Sequence, residues 1–158
     1  MKLVPTGSQT VGPFFSIGLA PLCQQKAQQS SAPDGTITIQ GQIFDGEKTP
    51  IPDAVFEFWS NTEFARIATN EDGSFSALLK RPANIRYFDV LIFMRGLMRP
   101  VLTRLYFGEA KNLSQETELL RVPTERRSTL LARPGTTNRD FLWDVYMQGE
   151  HETVFFEF

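Results

Sequence analysis

The chain reads as an all-β protein, an antiparallel β-sandwich preceded by an extended N-terminal arm. Three observations predict this. Short runs alternate polar and apolar residues with period two, as in Thr36-Ile37-Thr38-Ile39-Gln40. That spacing sends successive side chains to opposite faces of a sheet. Asp-Gly turn signals recur between the runs at Asp34-Gly35, Asp45-Gly46 and Asp72-Gly73. The runs are rich in Phe, Val, Ile and Thr, and 14 of the 158 residues are Phe.

Taken in order, residues 1–35 form the arm and linker. Pro5, Gly7, Gly12, Pro13, Gly18 and Pro21 punctuate the first part, and the polar stretch Gln24–Ala32 leads to the turn Pro33-Asp34-Gly35. The sandwich occupies 36–158. Its first strand is Thr36–Gln40, with Gln42-Ile43-Phe44 continuing it past Gly41. Ala54–Ser60 is a strand with Val55 and Glu57 opposite Phe56 and Phe58, and Glu71-Asp72-Gly73 turns Arg66–Thr69 into Ser74–Leu79. Further strands are expected at Ile85–Arg95, Val101–Phe107, Thr129–Arg133, Phe141–Met147 and Thr153–Phe158. Gly108–Leu120 has the best helical pattern, but Asn112 and Ser114 favour a loop with one turn.

Composition narrows the function. A 158-residue chain is long enough to bury a core, and a net charge of -2 gives no general pull toward nucleic acid or membrane. Charge is uneven, however. Lys80, Arg81, Arg86, Arg95, Arg99 and Arg104 face one acid, Asp89, over that stretch. Such a zone suits a small anionic ligand, an acidic partner or simply water. The one cysteine, Cys23, excludes an intrachain disulfide and fits a reducing compartment. It reads as a packed or loop thiol. No apolar run approaches a bilayer span, so a cytoplasmic location is expected.

The candidate chemistry is sparse. On Ile85–Arg95, Phe88, Val90, Ile92 and Met94 form one face, and Tyr87, Asp89, Leu91, Phe93 and Arg95 form the other. Tyr87 and Asp89 thus point the same way. They offer either two hard oxygen donors to a metal or an ordinary hydrogen-bonded pair. His151, the sole histidine, stands between Glu150 and Glu152, as a base, a ligand or an exposed turn residue. No nucleophile elbow, phosphate loop, dinucleotide fingerprint or zinc spacing is present.

The segments Ser8-Gln9-Thr10-Val11-Gly12-Pro13-Phe14-Phe15, Phe93-Met94-Arg95-Gly96-Leu97, Thr103-Arg104-Leu105-Tyr106-Phe107 and Gln148–Phe156 occur in the order seen in a known family. They closely resemble the intradiol ring-cleavage dioxygenases, and within that family the alpha-type subunits of the enzymes that act on protocatechuate. The resemblance implies a β-sandwich paired with a homologous beta subunit that binds ferric iron through two tyrosines and two histidines. It implies cleavage of a small aromatic substrate, protocatechuate, with dioxygen to a carboxy-muconate. The family's His-x-His pair falls here on Tyr87 and Asp89, so the resemblance implies no cofactor or metal bound by this chain. It implies instead that Thr10, Gly12, Pro13 and Arg95 complete the substrate site of the iron-bearing partner in a hetero-oligomer. The chain is shorter than such subunits, with loops missing between Trp59 and Arg66 and between Lys80 and Ile85.

Two other readings follow from the same residues. Shortened loops fit a stand-alone, catalytically inactive β-sandwich binding or assembly module. A metal enzyme in its own right would use Tyr87, Asp89 and His151.

Overall fold

A computed structural model describes residues 12, 14–23, 35–81, 86–108 and 113–157. Ahead of the sheet lies a short helix, α1 (Phe14–Leu19), followed by a 3-10 turn, Ala20–Leu22. The arm-like character expected of this segment includes a helical turn that Gly12, Pro13 and Gly18 did not suggest.

Nine strands follow among the described residues: β1 (Thr36–Phe44), β2 (Val55–Trp59), β3 (Phe64–Ala68), β4 (Ser74–Lys80), β5 (Tyr87–Phe93), β6 (Val101–Phe107), β7 (Leu131–Pro134), β8 (Asp140–Leu142) and β9 (Val145–Tyr146). Their order across the sheet is β3-β2-β5-β6-β7-β8-β1-β4, with β9 beside β1. The sheet curls so that β3 and β4, at the two ends of this order, also pack together.

The all-β expectation holds, and the pairing is mixed. The ladders β1–β4, β2–β3, β2–β5, β5–β6 and β7–β8 run antiparallel. The ladders β1–β8, β1–β9 and β6–β7 run parallel. Parallel neighbours need long crossovers. The connection from β6 to β7 provides one. It carries the helix α2 (Thr117–Arg121) and a 3-10 turn, Thr124–Leu130.

The expected final strand, Thr153–Phe158, is a correction. Through residue 157 it forms no regular strand, only an isolated bridge between Phe156 and Leu102. Single bonds tie it to β6: Phe156 N donates to Leu102 O at 2.8 Å, and Thr103 Oγ1 donates to Val154 O at 2.8 Å.

Period two decides what is buried. Phe88, Val90 and Ile92 of β5 are fully buried on the inner face, with Phe56 and Phe58 of β2 and Leu105 of β6. Met94 packs against this core, as its place on that face predicts. Aromatic rings fill the centre: Phe56 lies 4.4 Å from Phe75, and the Trp143 ring meets Phe56, Phe58 and Phe75 edge-on. Trp143 Nε1 donates to Thr129 O at 2.9 Å, so its polar atom is not stranded.

A second cluster, Tyr106, Leu119, Val122 and Leu130, covers part of the outer face of β6. Among the described residues no helix is long and apolar enough to cross a membrane.

Candidate functional site

The outer face of β3, β2, β5 and β6 is built in cross-strand rows. Register places Phe64, Trp59, Asp89 and Arg104 in one row. The next holds Arg66, Glu57, Leu91 and Leu102, and on the other side Tyr87 stands opposite Tyr106. Side chains opposite one another on one face are close enough to pair. The charged residues in these rows have done so, Arg66 with Glu57 and Arg104 with Asp89.

Tyr87 and Asp89 do share a face, as their spacing predicts. They line a cleft of about 330 Å³ with Trp59, Ser60, Asn61, Arg86 and Glu116. Arg104 governs this end of the strand. Its Nε donates to Asp89 Oδ1 at 2.6 Å, and its guanidinium carbon lies 4.4 Å above the Tyr87 ring. It also stands beside the Tyr106 hydroxyl, which is buried and lacks an aligned hydrogen bond.

Burial pushes the Tyr106 phenol above its ordinary range, and the Arg104 charge opposes this. Arg104 is itself held protonated. Its partial burial works against the charge, and the neighbouring Tyr106 hydroxyl and the Asp89 carboxylate together outweigh that. Arg86 closes the cleft through an ion pair to Glu116 at 2.9 Å.

Deeper in the second row, the buried Glu57 receives Arg66 Nε at 2.8 Å and Arg66 Nη2 at 2.6 Å. Trp59 Nε1 adds a 3.3 Å bond to the same carboxylate. Cys23, at the end of the 3-10 turn, lies within the field of this pair. Burial raises its pKa, Arg66 lowers it and Glu57 raises it. That environment keeps the thiol protonated, in line with the packed cysteine read from the sequence.

Arg95 lies elsewhere. It follows β5 in a turn, where Leu97 N donates to Met94 O at 3.3 Å. Gly96 has φ +93 at the third position, where such a turn favours glycine. Arg95 Nε sits 3.0 Å from Asp53 Oδ2, and its side chain is 62% exposed. It lies six positions along the chain from Asp89, about 20 Å at the rise of extended chain.

Gly12 has φ +62, a left-handed backbone that suits glycine in a tight arm. Thr10 and Pro13 lie outside the described residues. His151 is exposed and lines a different cleft, with Trp143, Asp144 and Tyr146. The structure therefore does not join it to Tyr87 and Asp89.

No family model matches the chain. Over its length it is 34% identical to the protocatechuate 3,4-dioxygenase alpha chain of Burkholderia cepacia, with 98% of each chain covered. It is 30% identical to the protein of the same name from Pseudomonas putida, covering 100% of this chain and 99% of that one.

The chain belongs to the intradiol ring-cleavage dioxygenases.

Within them it is an alpha-type subunit, part of an enzyme of aromatic catabolism. The first alignment spans 193 positions, more than the 158 residues available, so the relative carries insertions that this chain lacks.

Solved structures agree on the fold. A dioxygenase domain from Streptomyces sp. SirexAA-E superposes with TM-score 0.54 at 23% identity, covering 92% of this chain and 99% of that one. Catechol 1,2-dioxygenase from Acinetobacter sp. ADP1 gives 0.55 at 15% identity, covering 75% and 54%.

The residues on the Tyr87–Asp89 face do not fit a ferric ion. Asp89 is engaged by Arg104, and the guanidinium brings a fixed positive charge to the place a cation would need. Among the described residues, no three His, Cys, Asp or Glu side chains converge as ligands.

Sequence reasoning missed Arg104 and Asp53 as the partners of Asp89 and Arg95. The signal existed in the strand pattern, but only the register between strands reveals it.

Proposed function

We propose that this chain is the iron-free alpha-type subunit of a protocatechuate 3,4-dioxygenase-like enzyme, and that it completes the substrate site of a homologous iron-binding beta subunit. One observation carries this reading. A chain similar to alpha chains over its full length has Tyr87 and Asp89 gathered around an arginine, at the two positions where the family resemblance implies paired histidines.

In the assembled enzyme, Thr10, Gly12, Pro13 and Arg95 face the aromatic substrate. Arg95 suits that role because its side chain is solvent-exposed just past the end of β5. A carboxylate on the substrate ring meets it through charge-assisted hydrogen bonds. Gly12 supports close backbone approach in the arm. Ferric iron on the partner supplies the chemistry by which dioxygen opens the ring between the two hydroxyl-bearing carbons. This chain's residues bind and orient the substrate.

Co-expression with a homologous, histidine-bearing beta subunit tests the proposal. The expected result is a coloured ferric hetero-oligomer that converts protocatechuate to a carboxy-muconate. Two purified subunits that never associate, or a beta subunit equally active alone, would overturn it.

A further inference from the structure

The register of β2 against β5 pairs Val55 with Phe93. Continued two residues beyond the ladder, it sets Asp53 opposite Arg95. The two side chains meet there, Nε to Oδ2 at 3.0 Å, with Asp53 17% exposed and Arg95 62% exposed. The distance is that of an ion pair without hydrogen-bond alignment, and Asp53 Oδ2 is buried with no other donor among the described residues. A buried carboxylate oxygen with no other donor favours a cation held close to it.

The acid stands on a fixed base. Ile51 and Ala54, on either side of it, are buried. Ile51 N donates to Ile43 O at 3.0 Å, and Ala54 N donates to Thr69 Oγ1 at 3.0 Å. Arg95 is less constrained, since it rides on the Met94–Leu97 turn with most of its side chain in water. Among the described residues no second acceptor meets Arg95, which leaves the end-on edge of the guanidinium, Nη1 and Nη2, uncommitted. That edge can meet a second carboxylate in bidentate fashion.

We propose that Asp53 is a positioning residue. It holds Arg95 in the orientation that receives the substrate carboxylate, and so sets affinity for carboxylate-bearing catechols without touching the substrate. The inference rests on the substrate-site role of Arg95 proposed above. Pre-setting a long side chain lowers the ordering cost of each binding event.

The test uses the assembled enzyme. KM and kcat are measured with protocatechuate for wild type, Asp53→Asn, Asp53→Glu, Arg95→Ala and the Asp53→Asn/Arg95→Ala double variant. Catechol, which lacks the carboxylate, is run as competing substrate or inhibitor. Asp53→Asn is expected to raise KM for protocatechuate about fivefold with kcat within about twofold. Its effect on catechol should be negligible and should vanish in the Arg95→Ala background. Asp53→Glu, which keeps the charge, should recover most of the affinity.

Equal effects on both compounds, or additivity with Arg95→Ala, would mean a merely structural aspartate and overturn the inference alone. A normal KM in Asp53→Asn beside a raised one in Arg95→Ala would also overturn it while leaving the substrate site standing. A normal KM in Arg95→Ala would remove the site reading and this inference together.

Discussion

At one end of β5, Asp89 faces Arg104 across the β5–β6 ladder at 2.6 Å; just past the other end, Arg95 faces Asp53 across the extended β2–β5 register at 3.0 Å. Both are cross-strand aspartate–arginine pairs, yet their surroundings differ. Arg104 is 22% exposed, covered by the Tyr87 ring, and approached by Phe156 with its guanidinium carbon 5.8 Å from that ring. Arg95 is 62% exposed and, among the described residues, meets the single acid Asp53. Covered, a guanidinium becomes part of the structure; left open, it keeps hydrogen-bonding capacity for something else. The same chemistry therefore takes two roles according to what packs above it.

Substitution at Arg104 should have the largest effect on stability. Arg104→Met leaves the Asp89 carboxylate and the buried Tyr106 hydroxyl beside an apolar chain. Allowing for the water that reaches Asp89, the expected loss is about 2 kcal/mol, read from urea unfolding. A loss below about 0.5 kcal/mol would erase the contrast between the two ends.

Arg95→Ala should behave in the opposite way. Unfolding stability should stay within about 0.5 kcal/mol of wild type. In the mixed complex, KM for protocatechuate should rise about tenfold with iron content unchanged, as metal analysis and steady-state kinetics would read. Loss of iron or of assembly would make this end structural as well.

Tyr106→Phe is the mildest probe. It removes a buried hydroxyl that has no aligned partner, so stability at neutral pH should change by less than about 1 kcal/mol. The pH response is more telling. Burial raises the Tyr106 pKa, so the folded state holds that proton more tightly than the unfolded chain does. The contribution is complete below the unfolded value of about 10 and is lost as pH rises through the higher folded value. Unfolding measured between neutral and strongly alkaline pH should show wild type falling more steeply than Tyr106→Phe. Parallel curves would mean that the hydroxyl does not feel its burial.

Much of this contrast was written in single strands. Alternation in Ile85–Arg95 separated Phe88, Val90 and Ile92 from Tyr87, Asp89 and Arg95, and the inner three are fully buried. The arm motif and the Arg-Gly segment pointed to the family, and full-length identity to alpha chains bears that out. The partners of Asp89 and Arg95 were not legible. Asp89 meets a residue 15 positions later and Arg95 one 42 positions earlier, and loop geometry sets both registers. The parallel pairings of β6 with β7 and of β1 with β8 and β9 were equally hidden, because period two gives a strand its faces but not its neighbours.

By itself the sequence determined the all-β class, the face on which each β5 side chain lies and the absence of a His-x-His pair. These are local properties of spacing and residue type. The tertiary structure decided that Arg104 would be covered over Asp89 and Tyr87 while Arg95 stayed open above Asp53. Burial and cross-strand register depend on which segments pack together, and no run of neighbouring residues encodes that by its own spacing.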